Sequence, residues 1–143
     1  MPQKVNRVCN NLAHQKVLEL EDQGLVTMEW KDGMIGSMHY SINAYKKNRE
    51  GSITVLGEKG VVKIGGEYLN KVEYADIEGY EMKVKTPSAP SNHYGEYQGS
   101  MSNHGEVYKS MVDCLKKGKP YYTSPQEARA TIALIKKIIL SNQ

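Results

Sequence analysis

The chain has 143 residues, 39% of them apolar and 24% charged, a composition that fits one soluble globular domain and excludes intrinsic disorder. Nineteen basic and 16 acidic residues give a net charge of +3 spread along the whole sequence, which excludes a dense basic stripe for nucleic acid. No apolar run approaches the roughly 20 residues needed to span a bilayer and MPQKVNRVCNN lacks the apolar core of a secretory signal, so a cytoplasmic protein without membrane association is expected.

Residues 5–13 (VNRVCNNLA) read as an opening strand. Residues 25–31 (LVTMEWK) and 34–43 (MIGSMHYSIN) flank Asp32-Gly33, a dipeptide suited to the positive φ angles of a hairpin turn. In the second run Met34, Gly36, Met38, Tyr40 and Ile42 alternate with Ile35, Ser37, His39, Ser41 and Asn43, giving one greasy and one mostly polar face. A further hairpin joins residues 52–56 (SITVL) to 61–64 (VVKI) through Gly57-Glu58-Lys59-Gly60, and Gly65-Gly66 turns the chain into a strand over 67–74. From Ile77 to Met101 the pattern dissolves into Gly, Pro, Ser, Asn and Tyr, which reads as a long surface loop.

Two helices close the chain. The first is capped by Asn103 with Glu106 at the third helical position, carries Val107, Tyr108, Met111, Val112 and Leu115 on one face, and stops at Gly118-Lys119-Pro120. The second opens with the capping box Ser124-Pro125-Gln126-Glu127 and presents Ala128, Thr131, Ile132, Ile135, Ile138 and Ile139 as its apolar face. The expected fold is therefore α+β: a mainly antiparallel open sheet with consecutive strands as neighbours and the two helices packed on one face. The other face, carrying Ser37, His39, Ser41 and Asn43, is left for water or for a second copy of the chain. Ten tyrosines, one tryptophan and no phenylalanine fit half-wet surfaces of that kind.

Chemistry is sparse. Cys9 and Cys114 lack partners at metal-ligand spacing and read as buried free thiols, and neither His14 nor His39 has the spacing of a metal site. His93 falls in the long loop. No G-x-G-x-x-G follows a strand and opens a helix, so no dinucleotide cradle is expected in this chain; the glycines of GEKGVVKIGG belong to turns. His104 stands in the first turn of a helix, where free N–H groups and the helix dipole favour an anion. Ser100, Ser102, Asn103 and His104 could contact a negative group there, or Asn103 simply caps the helix and the serines serve the loop. Lys46, Lys47 and Arg49 form a local cation cluster, which is either a solvated loop or an anion contact.

The stretch NAYKKNREGSITVLGEKGVVKIGG (43–66), followed by GSMSNHGEVYKSMVDCLKKGKPYYTSPQEARATIALI (99–135), resembles the C-terminal α/β domain of the glucose-fructose oxidoreductase, inositol dehydrogenase and rhizopine-catabolism family. Within that family it is most similar to UDP-N-acetylglucosaminuronate dehydrogenases of surface-polysaccharide synthesis. The resemblance covers nearly the whole chain. It implies that residues 1–143 are a single C-terminal domain for substrate contact and oligomerisation, with the dinucleotide-binding domain absent.

Members of the family use a lysine of that other domain and a histidine on a helix at the start of the C-terminal domain for proton transfer. Both motifs would lie upstream of Met1, so no catalytic residue is assigned here. The resemblance implies an NAD- or NADP-dependent parent that oxidises a ring hydroxyl, at C3 of a UDP-sugar uronate, while this chain alone binds no cofactor and is inactive. It further implies a homo-oligomer joined through the open sheet face. It places Asn43, Lys46, Lys47 and Arg49 near the substrate cleft or a neighbouring subunit, and Ser102 and His104 on the diphosphate or carboxylate. Two alternatives stay open: a stand-alone sugar-binding or oligomerisation module, and the same domain from an inositol or aldose dehydrogenase.

Overall fold

The computed structural model describes residues 1–83, 91–95, 97–101, 103–121 and 124–141. In chain order the elements are β1 (Lys4–Asn10), β2 (Gln23–Glu29), β3 (Ile35–Ser41), β4 (Ile53–Gly57), β5 (Gly60–Gly65), β6 (Lys71–Ile77), β7 (Ser91–Tyr94), β8 (Tyr97–Met101), α1 (His104–Lys117) and α2 (Pro125–Leu140). The chain is α+β, as expected, and every strand pairs antiparallel with its sequence neighbour inside its sheet. The strands do not form one continuous sheet. They group as β1-β2-β3, β4-β5-β6 and β7-β8. Two compact units result: Met1–Asn43 with Gly118–Gln143, and Ala44–Lys117.

In the first unit the β2–β3 connection uses Asp32-Gly33 as the sequence suggests. Gly33 takes φ +90, its N–H reaches the Trp30 carbonyl, and the Asp32 carboxylate accepts from the Met34 N–H at 3.2 Å. Period-2 alternation sorts the sheet cleanly. Arg7 lies opposite Val26, and Cys9, Gly24 and Tyr40 line up across the three strands, so all five share one face. Gly24 is required there, because a Cβ at that position would lie 2.6 Å from the Tyr40 ring. Val26 is fully buried on this face.

Helix α2 packs against β1 on the strength of its caps and polar anchors. Ser124 accepts from the Glu127 N–H while the Glu127 carboxylate accepts from the Ser124 N–H, completing the predicted capping box behind Pro125. Near the other end, Lys137 donates to the Pro2 and Gln3 carbonyls and Arg7 donates to the Ile139 carbonyl. Of the expected apolar stripe only Ile138 is buried; Ile132, Ile135 and Ile139 stay more than half exposed. The opposite sheet face carries Val8, 76% exposed, and Ile35, 80% exposed, beside Ser37, His39 and Ser41. It is the open face that alternation predicts.

In the second unit β4, β5 and β6 put Ile53, Val55, Val62, Ile64 and Val72 on one face. Gly60 lets β5 approach β6, since an added Cβ would sit 2.8 Å from the Asp76 carbonyl oxygen. The strand expected over 67–74 is displaced to Lys71–Ile77. Residues 66–70 turn instead, with Gly66 at φ +87, Leu69 at φ +58 and Tyr68 buried as the anchor. A bulge at Lys63/Ile64 absorbs the change of register.

The expected loop over 77–101 contains the β7–β8 hairpin, which turns at Gly95, φ +76. Its strands lack apolar alternation, and that hides them from a periodicity reading. Helix α1 begins where predicted, with the Glu106 and Val107 N–H groups on the Asn103 carbonyl. None of its residues is buried, so Val107, Tyr108, Met111, Val112 and Leu115 all face outward.

Candidate functional site

The site residues named from sequence fall into three surroundings, and the polar accounting of each differs. Asn43 ends the first unit, in a knot centred on Asp22. Asp22 is 1% exposed, and a buried carboxylate survives only when its lone pairs are filled. Its Oδ1 accepts from the Leu12 N–H at 3.1 Å; its Oδ2 accepts from the Ala13 N–H at 2.8 Å and the His14 N–H at 3.2 Å and lies 3.1 Å from His14 Nδ1.

Burial opposes ionisation of this group, but hydrogen bonds from Leu12, Ala13, the His14 ring and the Asn43 side chain outweigh it and hold the carboxyl well below the usual carboxylate range. The loop 11–22 is braced further by Asn11, which donates to the Leu18 and Leu20 carbonyls and accepts from the His14 N–H. The Asn43 side chain thus joins this knot, while its Oδ1 is buried without a hydrogen-bond partner among the described residues. His14 serves the same knot.

Beside it, Arg7 and Glu21 form an ion pair at 2.6 Å, and the Tyr40 hydroxyl donates to the same Glu21 oxygen at 3.0 Å. Desolvation and the Glu21 charge push the Tyr40 hydroxyl pKa up. Sequence reading missed this trio. The signal was present, because alternation places the Arg7 guanidinium on the inward face beside Val5 and Cys9, where a charge needs a partner.

The cation cluster occupies Ala44 to Gly51 of the second unit, and there the three cations part ways. Lys47 is spent: its ammonium meets Glu67 Oε1 at 2.8 Å, with both side chains about a third exposed. The Gly51 N–H donates to the Gly66 carbonyl at 2.8 Å, so the segment is tied to the 66–70 turn at two points.

Lys46 and Arg49 are exposed, and among the described residues neither has a carboxylate partner within 4.0 Å. Lys46 adopts φ +64, and the Lys47 N–H donates back to the Tyr45 carbonyl at 2.8 Å, closing a γ-turn of the rare strained kind on a non-glycine residue. The Lys46 ammonium stands 5.2 Å from the centroid of the Tyr45 ring, and Tyr45 is 81% exposed. Glu67 lies 20 residues from Lys47 with no spacing rule to announce it.

His104 is the first residue of α1 and is exposed, in a first turn that also carries the acidic Glu106. Ser102, its expected companion, lies outside the described residues. Among the described residues no group of three His, Cys, Asp or Glu side chains could hold a metal ion, and no helix is long and apolar enough to cross a membrane. Cys9 and Cys114 are free thiols, half-buried.

The family model that describes the oxidoreductase family's C-terminal alpha/beta domain, that of the glucose-fructose oxidoreductase, inositol dehydrogenase and rhizopine-catabolism proteins, matches residues 1–143. The chain belongs to this family. Among solved structures it superposes on the WlbA dehydrogenase from Bordetella pertussis, in complex with NADH and UDP-GlcNAcA, with TM-score 0.68 and 27% identity over 96% of this chain and 35% of that one. The WlbA dehydrogenase from Chromobacterium violaceum, also in complex with NADH and UDP-GlcNAcA, gives TM-score 0.68 and 26% identity over 96% and 36%. A protein of Thermotoga maritima at 14% identity and TM-score 0.65 shares the fold. No sequence among proteins of curated function matches. The chain thus spans about a third of the length of the dehydrogenases it resembles.

Proposed function

We propose that this chain is the substrate-side and assembly portion of an NAD(H)-dependent dehydrogenase that oxidises the C3 hydroxyl of a UDP-sugar uronate in the cytoplasm, for polysaccharide synthesis. The observation that carries the reading is the likeness, over 96% of the chain, to two dehydrogenases held with NADH and UDP-GlcNAcA. Among the described residues, Lys46 and Arg49 supply cations not paired with a carboxylate, suited to a diphosphate or a uronate carboxylate. His104, at a helix N-terminus, is a second candidate for the same anion, with Ser102 beside it in sequence. The chain contains no G-x-G-x-x-G cradle, so hydride transfer belongs to the whole parent protein and the isolated chain is inactive.

Homo-oligomer formation through the open face of β1-β2-β3 is part of the same proposal, because Val8, Leu25 and Ile35 expose apolar surface beside short polar side chains there. The parent enzyme, given UDP-N-acetylglucosaminuronate and NAD, should produce NADH with an absorbance rise at the nicotinamide band. A parent that reduces NAD with inositol or a free aldose and ignores UDP-sugars would refute the substrate class.

A further inference from the structure

We infer that Tyr45, Lys46 and Arg49 form a platform for a ligand that joins a flat ring to an anionic group, such as a nucleoside diphosphate, and that Lys47 and Glu67 are its positioning residues. The inference deepens the proposed function and rests on its sugar-nucleotide reading. Four observations within the second unit converge. Tyr45 is 81% exposed, so most of a large aromatic surface faces water. Lys46 stands over that ring, 5.2 Å from its centroid, which leaves the other ring face open for stacking and puts a cation beside whatever stacks there.

Third, Lys46 holds φ +64 inside a γ-turn, a conformation that costs free energy at any residue with a Cβ and that glycine would adopt without that cost. The sequence is rich in glycine at its other positive-φ positions, among them Gly33, Gly66, Gly79, Gly95 and Gly118. Of the two non-glycine residues at positive φ, Leu69 lies in the turn anchored by buried Tyr68, whereas Lys46 presents an exposed cation. Fourth, the Lys47–Glu67 pair at 2.8 Å and the Gly51 to Gly66 hydrogen bond tie the chain down immediately after the turn and again at Gly51, which preorganises the segment. Arg49 adds an exposed guanidinium between the two tie points, with the planar fork that suits a phosphate or carboxylate.

The test is a heteronuclear NMR titration of the labelled 143-residue chain with UDP, uridine and inorganic pyrophosphate, with melting temperatures measured on the same samples. UDP should bind with a dissociation constant of about 1 mM or tighter, shifting the Tyr45 ring and the Lys46 and Arg49 signals, and should bind more tightly than uridine or pyrophosphate. Tyr45→Ala should weaken UDP about tenfold, to the level of pyrophosphate, because the stacking surface is gone. Lys46→Gly should weaken UDP by a similar factor yet raise the melting temperature by roughly 2–4 °C, the signature of strain held for a ligand.

Glu67→Gln separates positioning from simple electrostatics. Removing a negative charge near two cations would by itself tighten UDP, whereas loss of the clamp weakens it, and weakening is expected. Shifts centred away from Tyr45 and Lys46, or tighter UDP binding by Glu67→Gln, would overturn the platform while leaving the sugar-nucleotide reading intact. No UDP response at concentrations on the order of 10 mM would also overturn it, and the parent's activity on UDP-sugars would then decide the broader reading independently.

Discussion

The Asp22 knot and the Tyr45–Gly51 segment are both rich in polar side chains, yet they use them in opposite ways. Around Asp22 each oxygen of a buried carboxylate is filled by N–H groups, and Arg7, Glu21 and Tyr40 close a second network beside it. In the Tyr45–Gly51 segment one cation, Lys47, is consumed by Glu67, while Lys46 and Arg49 remain exposed without acidic partners and Tyr45 lies open. Charged groups paired inside the chain explain its fold; those exposed without a carboxylate partner, on a strained backbone, are where a ligand is to be sought. Residue type alone does not separate the two cases, since Asn43 and Lys47 looked as promising as Lys46.

The sharpest way to break this contrast is Asp22→Ala. It strands the Leu12, Ala13 and His14 N–H groups and should lower the melting temperature by about 10 °C, read through Trp30 fluorescence, while a small change would mean that the loop holds without its knot. The same group sets an acid limit. Its pKa is lower in the folded chain than in the unfolded one, so its contribution to stability is present above the ordinary aspartate value of about 3.9 and is lost as pH falls through the folded value. Compared at equal neutral-pH stability, acid unfolding followed by circular dichroism should begin at higher pH in wild type than in Asp22→Ala, which has no such carboxylate to protonate.

Arg7→Met comes next, since it removes the cation from a buried pair and frees the Ile139 carbonyl from its anchor; a loss of about 2–3 kcal/mol in urea unfolding is expected. Glu67→Gln should cost less than about 1 kcal/mol, because both partners of the Lys47 pair are a third exposed. A cost as large as that of Arg7→Met would make the second unit's clamp structural in the same sense as the Asp22 knot.

The smallest effect belongs to Lys63 and Glu73, 2.9 Å apart across the β5–β6 bulge. The Lys63 hydrogen bond and charge hold the Glu73 carboxyl below its usual range, and Glu73 pushes Lys63 up. The pair's contribution therefore fades as pH falls below the carboxylate range and again as pH rises through the raised lysine value, a change best followed by amide exchange of β6.

Much of the fold was legible in the sequence. The Asp32-Gly33 turn, the two-faced β3, the capping box at Ser124 and the start of α1 at Asn103 follow from local rules, because each depends on residues within a few positions of one another. The displacement of β6 and the β7–β8 hairpin were not legible. The first depends on Tyr68 and the bulge at Lys63/Ile64, which are tertiary, and the second lacks apolar alternation. Of the site, the cation cluster was visible as composition, but its division into a spent Lys47 and an unspent Lys46 depends on Glu67, 20 residues away. The Asn43 contact with Asp22 was not legible, because nothing in the sequence marks Asp22 as buried.

Isothermal titration calorimetry of the 143-residue chain against UDP-N-acetylglucosaminuronate and, separately, NADH tests most directly whether this is the substrate side of a dehydrogenase. Saturable heat with the sugar nucleotide and none with NADH is the predicted result. Saturable binding of NADH, with the sugar nucleotide silent, would contradict it.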